Sequence, residues 1–119
     1  MSDQLPTVQV KVEPESEAFW AGVAQGKLVM SWCTACDGHV WPPRALCPVC
    51  QTPVSTTRTL SGEGELYSYS IVHRGEGAFK DATPFVIGYV DTDGGPIMMA
   101  NVINVPLDEV RIGMRVRLT

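Results

Sequence analysis

All four cysteines of the chain fall within the stretch WCTACDGHVWPPRALCPVC, residues 32–50. Cys33, Cys36, Cys47 and Cys50 are spaced C-x2-C-x10-C-x2-C. A C-x2-C turn lets two sulfurs converge on one side of a tight loop. Two such turns facing each other form a tetrahedral thiolate cage, which suits zinc and, less often, iron. Gly38 and Pro48 stand where the tight turns are expected. His39 could replace a thiol, but four sulfurs already complete the tetrahedron, so it reads as a neighbour. A redox C-x2-C needs only one pair, usually at a helix N-terminus in a βαβ setting. Two disulfides or free buried thiols are the remaining uses, and neither accounts for the symmetry. A site closed by four cysteines has no open coordination position, so it is structural and does not activate water. Metal binding of this kind contributes on the order of 10 kcal/mol of folding free energy.

Other segments offer less chemistry. HRGEGAFKDATP, residues 73–84, is a long polar connection with Arg74, Lys80 and an exposed-looking Phe79. It lacks the Ser/Thr and the strand–loop–helix setting of a phosphate loop, but connections of this length often carry function. His73, at the end of a strand pattern, reads as a hydrogen-bonded structural histidine. DTDGG, residues 91–95, opens like a calcium loop but lacks the later ligands, and reads as a hairpin turn. No Ser/His/Asp or Cys/His arrangement is legible, and no cysteine is left over to act as a nucleophile.

These residues need elements to hold them. Pro14 followed by ESEAFWAGVAQGK reads as a helix, with Pro in its first turn, Glu15 and Glu17 at its positive end and Gly26 just past its C-terminus. Phe19, Trp20, Val23 and Ala24 form its apolar face, fit either for a core or for docking. Residues 1–12 alternate weakly and read as an edge strand or a tail. KLVMSW leads as a strand into the first cysteine pair, and HVWPPR leaves it. Beyond Gly62 the pattern is all β. GELYSYSIVH alternates, with Tyr67, Tyr69 and Ile71 expected on one face and Ser68 and Ser70 on the other. PFVIGYVDT, IMMANVINV and MRVRLT follow as strands, with LDEVRIG as a short connection. IMMANVINVPL is long and uncharged, and as a strand it would leave an adhesive edge unless covered. Several short strands with Gly-rich turns point to a small OB-like barrel. The organisation expected is therefore mainly β: an N-terminal tail and helix over 1–26, a zinc ribbon over 27–61 and an OB-fold over 62–119.

Composition narrows the classes. The chain has 119 residues, 45% hydrophobic and 18% charged, with a net charge of −4. This is a globular composition for one domain or two very small ones. The nine basic residues are scattered, which argues against a nucleic-acid footprint. No stretch is long and apolar enough to span a membrane, and the acidic N-terminus lacks the apolar core of a signal peptide. A cytoplasmic protein is expected, and in a reducing compartment paired cysteines favour metal over disulfides.

Taken together, FW-x-G-x3-G-K-L, the ribbon with PPR and CP-x-C, G-x-L-YSYS-x-VH, PF-x-IGYV and VRIGM-x-V resemble one family over roughly residues 14–119. It is the family of small proteins with a rubredoxin-like zinc ribbon followed by an OB-fold, associated with acyl-CoA enzymes. Its members accompany thiolases, acyltransferases, sterol side-chain retro-aldolases and enoyl-CoA hydratases as accessory subunits. The resemblance implies zinc on Cys33, Cys36, Cys47 and Cys50. It implies CoA contacts at Arg44, His73, Arg74, Phe79 and Lys80, and a hetero-oligomer with a thiolase-like partner. Phe19 and Trp20 would be aromatic anchors for that partner. The family continues past its GM-x-V-x-V strand, whereas this sequence stops at Thr119; the last barrel strand is expected to be missing, supplied by a partner or lost to truncation.

Three readings stay open at this point. The first is a non-catalytic acyl-CoA-binding subunit. The second is a nucleic-acid-binding zinc-ribbon OB protein with Tyr67, Tyr69, Phe79 and Tyr89 as stacking platforms, although alternation puts the three tyrosines as easily in the core. The third is a redox ribbon holding iron.

Overall fold

The computed structural model describes residues 5–119. The chain forms two compact units. The first comprises residues 11–63, 92–96 and 117–119, and the second residues 5–10, 64–91 and 97–116. Residues 5–13 carry no helix or strand, and Val8, Val10 and Val12 are exposed. The weak alternation there finds no strand to pair with. Among the described residues no helix is long and apolar enough to cross a membrane.

In the first unit a 3-10 turn, Pro14–Ser16, leads into helix α1, Glu17–Ala24. The Ser16 hydroxyl accepts from the Glu13 amide at 3.2 Å and donates to the Glu13 carbonyl at 3.1 Å, closing the turn. Gly26 follows the C-cap residue Gln25 with φ +74°, the left-handed conformation that ends a helix at least cost in glycine. The helix lies on strand β1, Leu28–Cys33. Gly22 makes that approach possible, because a Cβ there would press into the Val29 side chain. The helix aromatics are half-buried: Phe19 meets Trp20 at 5.0 Å and Trp41 at 5.1 Å between ring centroids.

Strand β1 is the centre of a three-stranded sheet, flanked by β2, Gly38–Val40, and β3, Thr56–Leu60. Both pairings are antiparallel. Leu28, Met30 and Trp32 alternate into the interior. The register Cys33↔Gly38 closes the β1–β2 hairpin over the first cysteine pair.

The second unit is built on a four-stranded sheet in the order β6-β5-β4-β7. Its strands are β4, Glu63–Val72; β5, Phe85–Thr92; β6, Ile97–Val102; and β7, Arg115–Arg117. The core is Leu66, Val86, Val102 and Val110, with Ile71, Val90, Val105, Leu107 and Met114 against it. DTDGG forms the β5–β6 turn: Gly94 has φ +77°, and the Thr92 hydroxyl donates to the Pro96 carbonyl at 2.6 Å. Gly88 is buried because Leu66 and Val102 fill the space a Cβ would need.

The phase of β4 corrects an expectation. Tyr67, Tyr69 and Ile71 were expected on one face. Instead Gly64 and Leu66 turn inward and Tyr67 and Tyr69 turn out, while Ile71 packs on the core. Leu66 and Ile71 are five positions apart, so the alternation slips once between them. The architecture is otherwise the mainly-β one expected, with one short α-helix among the described residues.

Candidate functional site

The four sulfurs lie within 4.8 Å of one another. Cys33 Sγ and Cys50 Sγ, 3.5 Å apart, join the two knuckles. A zinc–sulfur distance of about 2.3 Å requires sulfurs about 3.8 Å apart at the corners of a tetrahedron, so the cluster fits the ion. Cys33 and Cys47 are buried and Cys36 and Cys50 exposed, one of each from each knuckle. His39 stands outside the group, exposed on β2 opposite Trp32.

The knuckles are shaped by residues that follow each pair. Asp37 (φ 52°) and Gln51 (φ 62°) occupy equivalent left-handed positions directly after the second cysteine of each pair. In the second knuckle the Gln51 amide donates to the Cys47 carbonyl at 2.8 Å and the Cys47 amide to the Thr52 carbonyl at 2.9 Å. Pro48 lies in this turn, as expected. Gly38 does not serve the first turn: it begins β2, and a Cβ there would meet open space. The turn falls to Asp37, whose side chain also makes contacts. Its carboxylate accepts from the Trp32 indole nitrogen at 3.2 Å and sits 3.5 Å from the Arg58 guanidinium, which itself stacks 4.0 Å from the Trp32 ring centroid. Aspartate is among the few side chains that tolerate this backbone region.

Without metal the thiols are unequal. The Thr52 hydroxyl, 3.2 Å from Cys50 Sγ, and then the Thr52 amide hold the Cys50 thiol down at about 6. The amides of Cys50 and Val49 lower Cys47. Hydrogen bonding to Cys50 pushes the Cys36 thiol up to about 12. Crowded thiolates repel, so one proton is retained where another is lost; a divalent cation removes the conflict by stabilising all four anions. The Cys36 amide donates to Cys33 Sγ at 3.4 Å, a contact within the first knuckle.

The other candidates are distributed between the units. Arg44 is exposed in the first unit and lines an open groove of about 400 Å³ with Glu15, Ser31, Ser55 and Thr57. His73 and Arg74 are exposed just beyond β4 in the second unit. Phe79 ends a 3-10 turn, Gly77–Phe79, and Lys80 follows it, exposed. The expectation of an exposed Phe79 is corrected: it is half-buried, its ring 5.4 Å from that of buried Phe85. Gly75 lies against the Phe79 carbonyl so closely that a Cβ would collide with it. Arg74 and Lys80 thus flank the point where the loop closes on itself. Among the described residues neither they nor Arg44 have an ion-pair partner. Sequence reasoning missed the roles of Asp37 and Gln51, for which the doublet of x-after-C-x2-C positions was the available signal.

Comparison with known proteins gives this geometry a family. A model described as the ChsH2 C-terminal OB-fold domain matches residues 57–119, more than half of the chain. The chain belongs to the ChsH2 OB-fold family. The ChsH2 rubredoxin-like zinc ribbon domain matches residues 20–53. The four-cysteine cluster is accordingly a structural zinc site, one ion per chain. The chain is 34% identical over 103 residues to a probable enoyl-CoA hydratase alpha subunit of Thermomonospora curvata, covering 85% of this chain and 32% of that protein. It is 27% identical over 106 residues to a DUF35 domain-containing scaffold protein of Methanothermobacter thermautotrophicus, covering 87% of this chain and 80% of that one. It is also similar to a chain of the solved Ltp2-ChsH2(DUF35) aldolase, with a TM-score of 0.81 and 26% identity over 93% of this chain and 87% of that chain. The chain spans about a third of the first of these relatives and most of the other two.

Proposed function

We propose that this protein is a non-catalytic accessory subunit that binds acyl-CoA and holds it for a thiolase-like partner enzyme. The observation that carries the reading is the full-length likeness to the DUF35 chain of an aldolase built with a second protein, Ltp2. The closed zinc site is consistent with it, since a metal without an open position supplies no nucleophile. The likeness to a scaffold protein supports the same reading. Arg74 and Lys80 would meet the CoA phosphates as charge complements, with His73 beside them, and neither would act as an acid or base. Phe79 and Phe85 offer the apolar surface a pantetheine arm needs. Arg44 is a separate candidate CoA contact, on the ribbon unit, and Phe19 and Trp20 would help to hold the partner. The partner would supply the nucleophile, in a cytoplasmic hetero-oligomer with two copies around a thiolase-like dimer.

Co-expression with the thiolase-like proteins of the source organism tests the reading. A stable complex is expected, with thioester turnover only in the complex and CoA binding weakened in an Arg74→Ala/Lys80→Ala variant. Robust turnover by the isolated chain, or no complex with any such protein, would overturn the reading. Unchanged CoA affinity in the double variant would remove those two residues from the site. One observation favours a nucleic-acid role instead: Tyr67, Tyr69 and Tyr89 are 59%, 37% and 48% exposed. Oligonucleotide binding that weakens steeply with salt would establish it.

A further inference from the structure

We infer that the outward face of the β4–β5–β6 sheet, together with the free edge of β6, is the surface on which this subunit receives its protein partner. The inference rests on the accessory-subunit reading and names where that partner sits.

The face follows from register. Val86 pairs with Val102 and both are buried, so the alternate pairs turn outward. These are Ile87↔Asn101, Tyr89↔Met99 and Asp91↔Ile97. Gly88 lies inward against Leu66 and the Ser68 carbonyl. Tyr89, and Tyr67 and Tyr69 on the neighbouring strand, therefore share the opposite face. Met99 is 63% exposed and Ile97 44%, beside the three exposed tyrosines. Contiguous exposed tyrosine, methionine and isoleucine is the composition of an interface centre and not of an ordinary solvated sheet face.

The edge is a second, independent observation. β6 ends the strand order, and among the described residues no strand pairs on its outer side. Exposed edges are ordinarily guarded by charge, proline or a bulge. The six residues IMMANV contain no charged residue and no proline. An unguarded edge beside an apolar face is a surface made to be covered.

Charge selects the occupant. Residues 85–102 contain no lysine or arginine, and the one charged side chain among the outward pairs is the carboxylate of Asp91. A polyphosphate chain would meet no cation on these strands, and anions at Asp91 and at Glu65, exposed two positions before Tyr67 on β4. A protein surface with an apolar centre and a basic group opposite Asp91 complements the face. Tyrosine brings large contact area with little side-chain entropy to lose, and methionine adapts to the partner's relief.

The test uses the complex obtained by co-expression and the full chain as it exists. Tyr89→Thr/Met99→Thr keeps strand-forming residues at both positions and buries nothing new. The double variant should keep its zinc and its circular dichroism, and should bind the partner at least about tenfold more weakly. Amides of residues 85–102 should gain protection from hydrogen exchange in the wild-type complex. If the complex forms but the variant binds normally and these amides exchange as in the free chain, the docking face is wrong and the accessory role stands. If no complex forms with any thiolase-like protein, both fall. Self-association seen by light scattering and abolished by the double variant would give the face to a second copy. Salt-sensitive binding of a fluorescein-labelled oligothymidylate, lost in the variant, would give it to nucleic acid. Either outcome overturns the inference.

Discussion

The two units are held together by different means. The barrel unit closes over four buried aliphatic side chains, Leu66, Val86, Val102 and Val110, with five more packed against them. Around the cysteine pairs the buried cluster is only Cys33, Val40 and Cys47, with Val54 beside it. Two of its three buried members are metal ligands. A segment this short cannot bury enough apolar surface to offset its chain entropy, so coordination takes the place of a core there. The lesson is that similar compactness hides different vulnerabilities: the cysteine end of the first unit depends on thiolate chemistry, whereas Leu28, Met30 and Trp32 behind it and the barrel unit depend on shape.

The largest effect should come from breaking the ribbon. Cys47→Ser, or removal of zinc by a chelator, should forfeit on the order of 10 kcal/mol of coordination free energy and unfold residues 27–61. Elemental analysis should show the loss of stoichiometric metal. Segment-resolved hydrogen exchange should still find the amides of β4 and β5 protected. Loss of both units in a single step would show that the barrel also depends on the metal, and the contrast would collapse.

An intermediate effect is expected from the barrel core. Leu66 is fully buried, so Leu66→Ala should cost about 2–5 kcal/mol in a denaturant titration. Zinc content should not change. A variant that loses zinc together with stability would tie the two units energetically.

The smallest effects sharpen the comparison inside the first unit. Gly22→Ala should cost about 1–3 kcal/mol, because the added methyl drives into Val29 where α1 meets β1. Gly38→Ala should change the melting temperature hardly at all, since nothing lies within 4 Å of the new Cβ. Equal effects from the two substitutions would mean that the close approach of helix and strand is not what holds Gly22.

Much of this protein was legible in its sequence because the signals are local. The C-x2-C pairs specify knuckles whatever surrounds them, since each turn needs only its own few residues. Pro14 and Gly26 bracket a helix by backbone preference alone, and the structure puts α1 between them. The run of strands after Gly62 follows from turn residues and alternation, and all four form. The resemblance to a ribbon–OB family is borne out by both family models.

What the sequence could not decide is phase and placement. Period-two alternation says that Tyr67 and Tyr69 share a face, but not whether that face meets the core or the solvent. Only the packing of Leu66 against Val86 and Val102 settled it, turning the tyrosines outward. The left-handed turn went to Asp37 and not to the adjacent Gly38, and Trp32 and Arg58 meet the Asp37 carboxylate from β1 and β3. Phe79, in a polar loop, was drawn half inside by Phe85. For the tyrosines and for Phe79 the deciding partner lies on another element, so local preference left the choice open and tertiary contact made it.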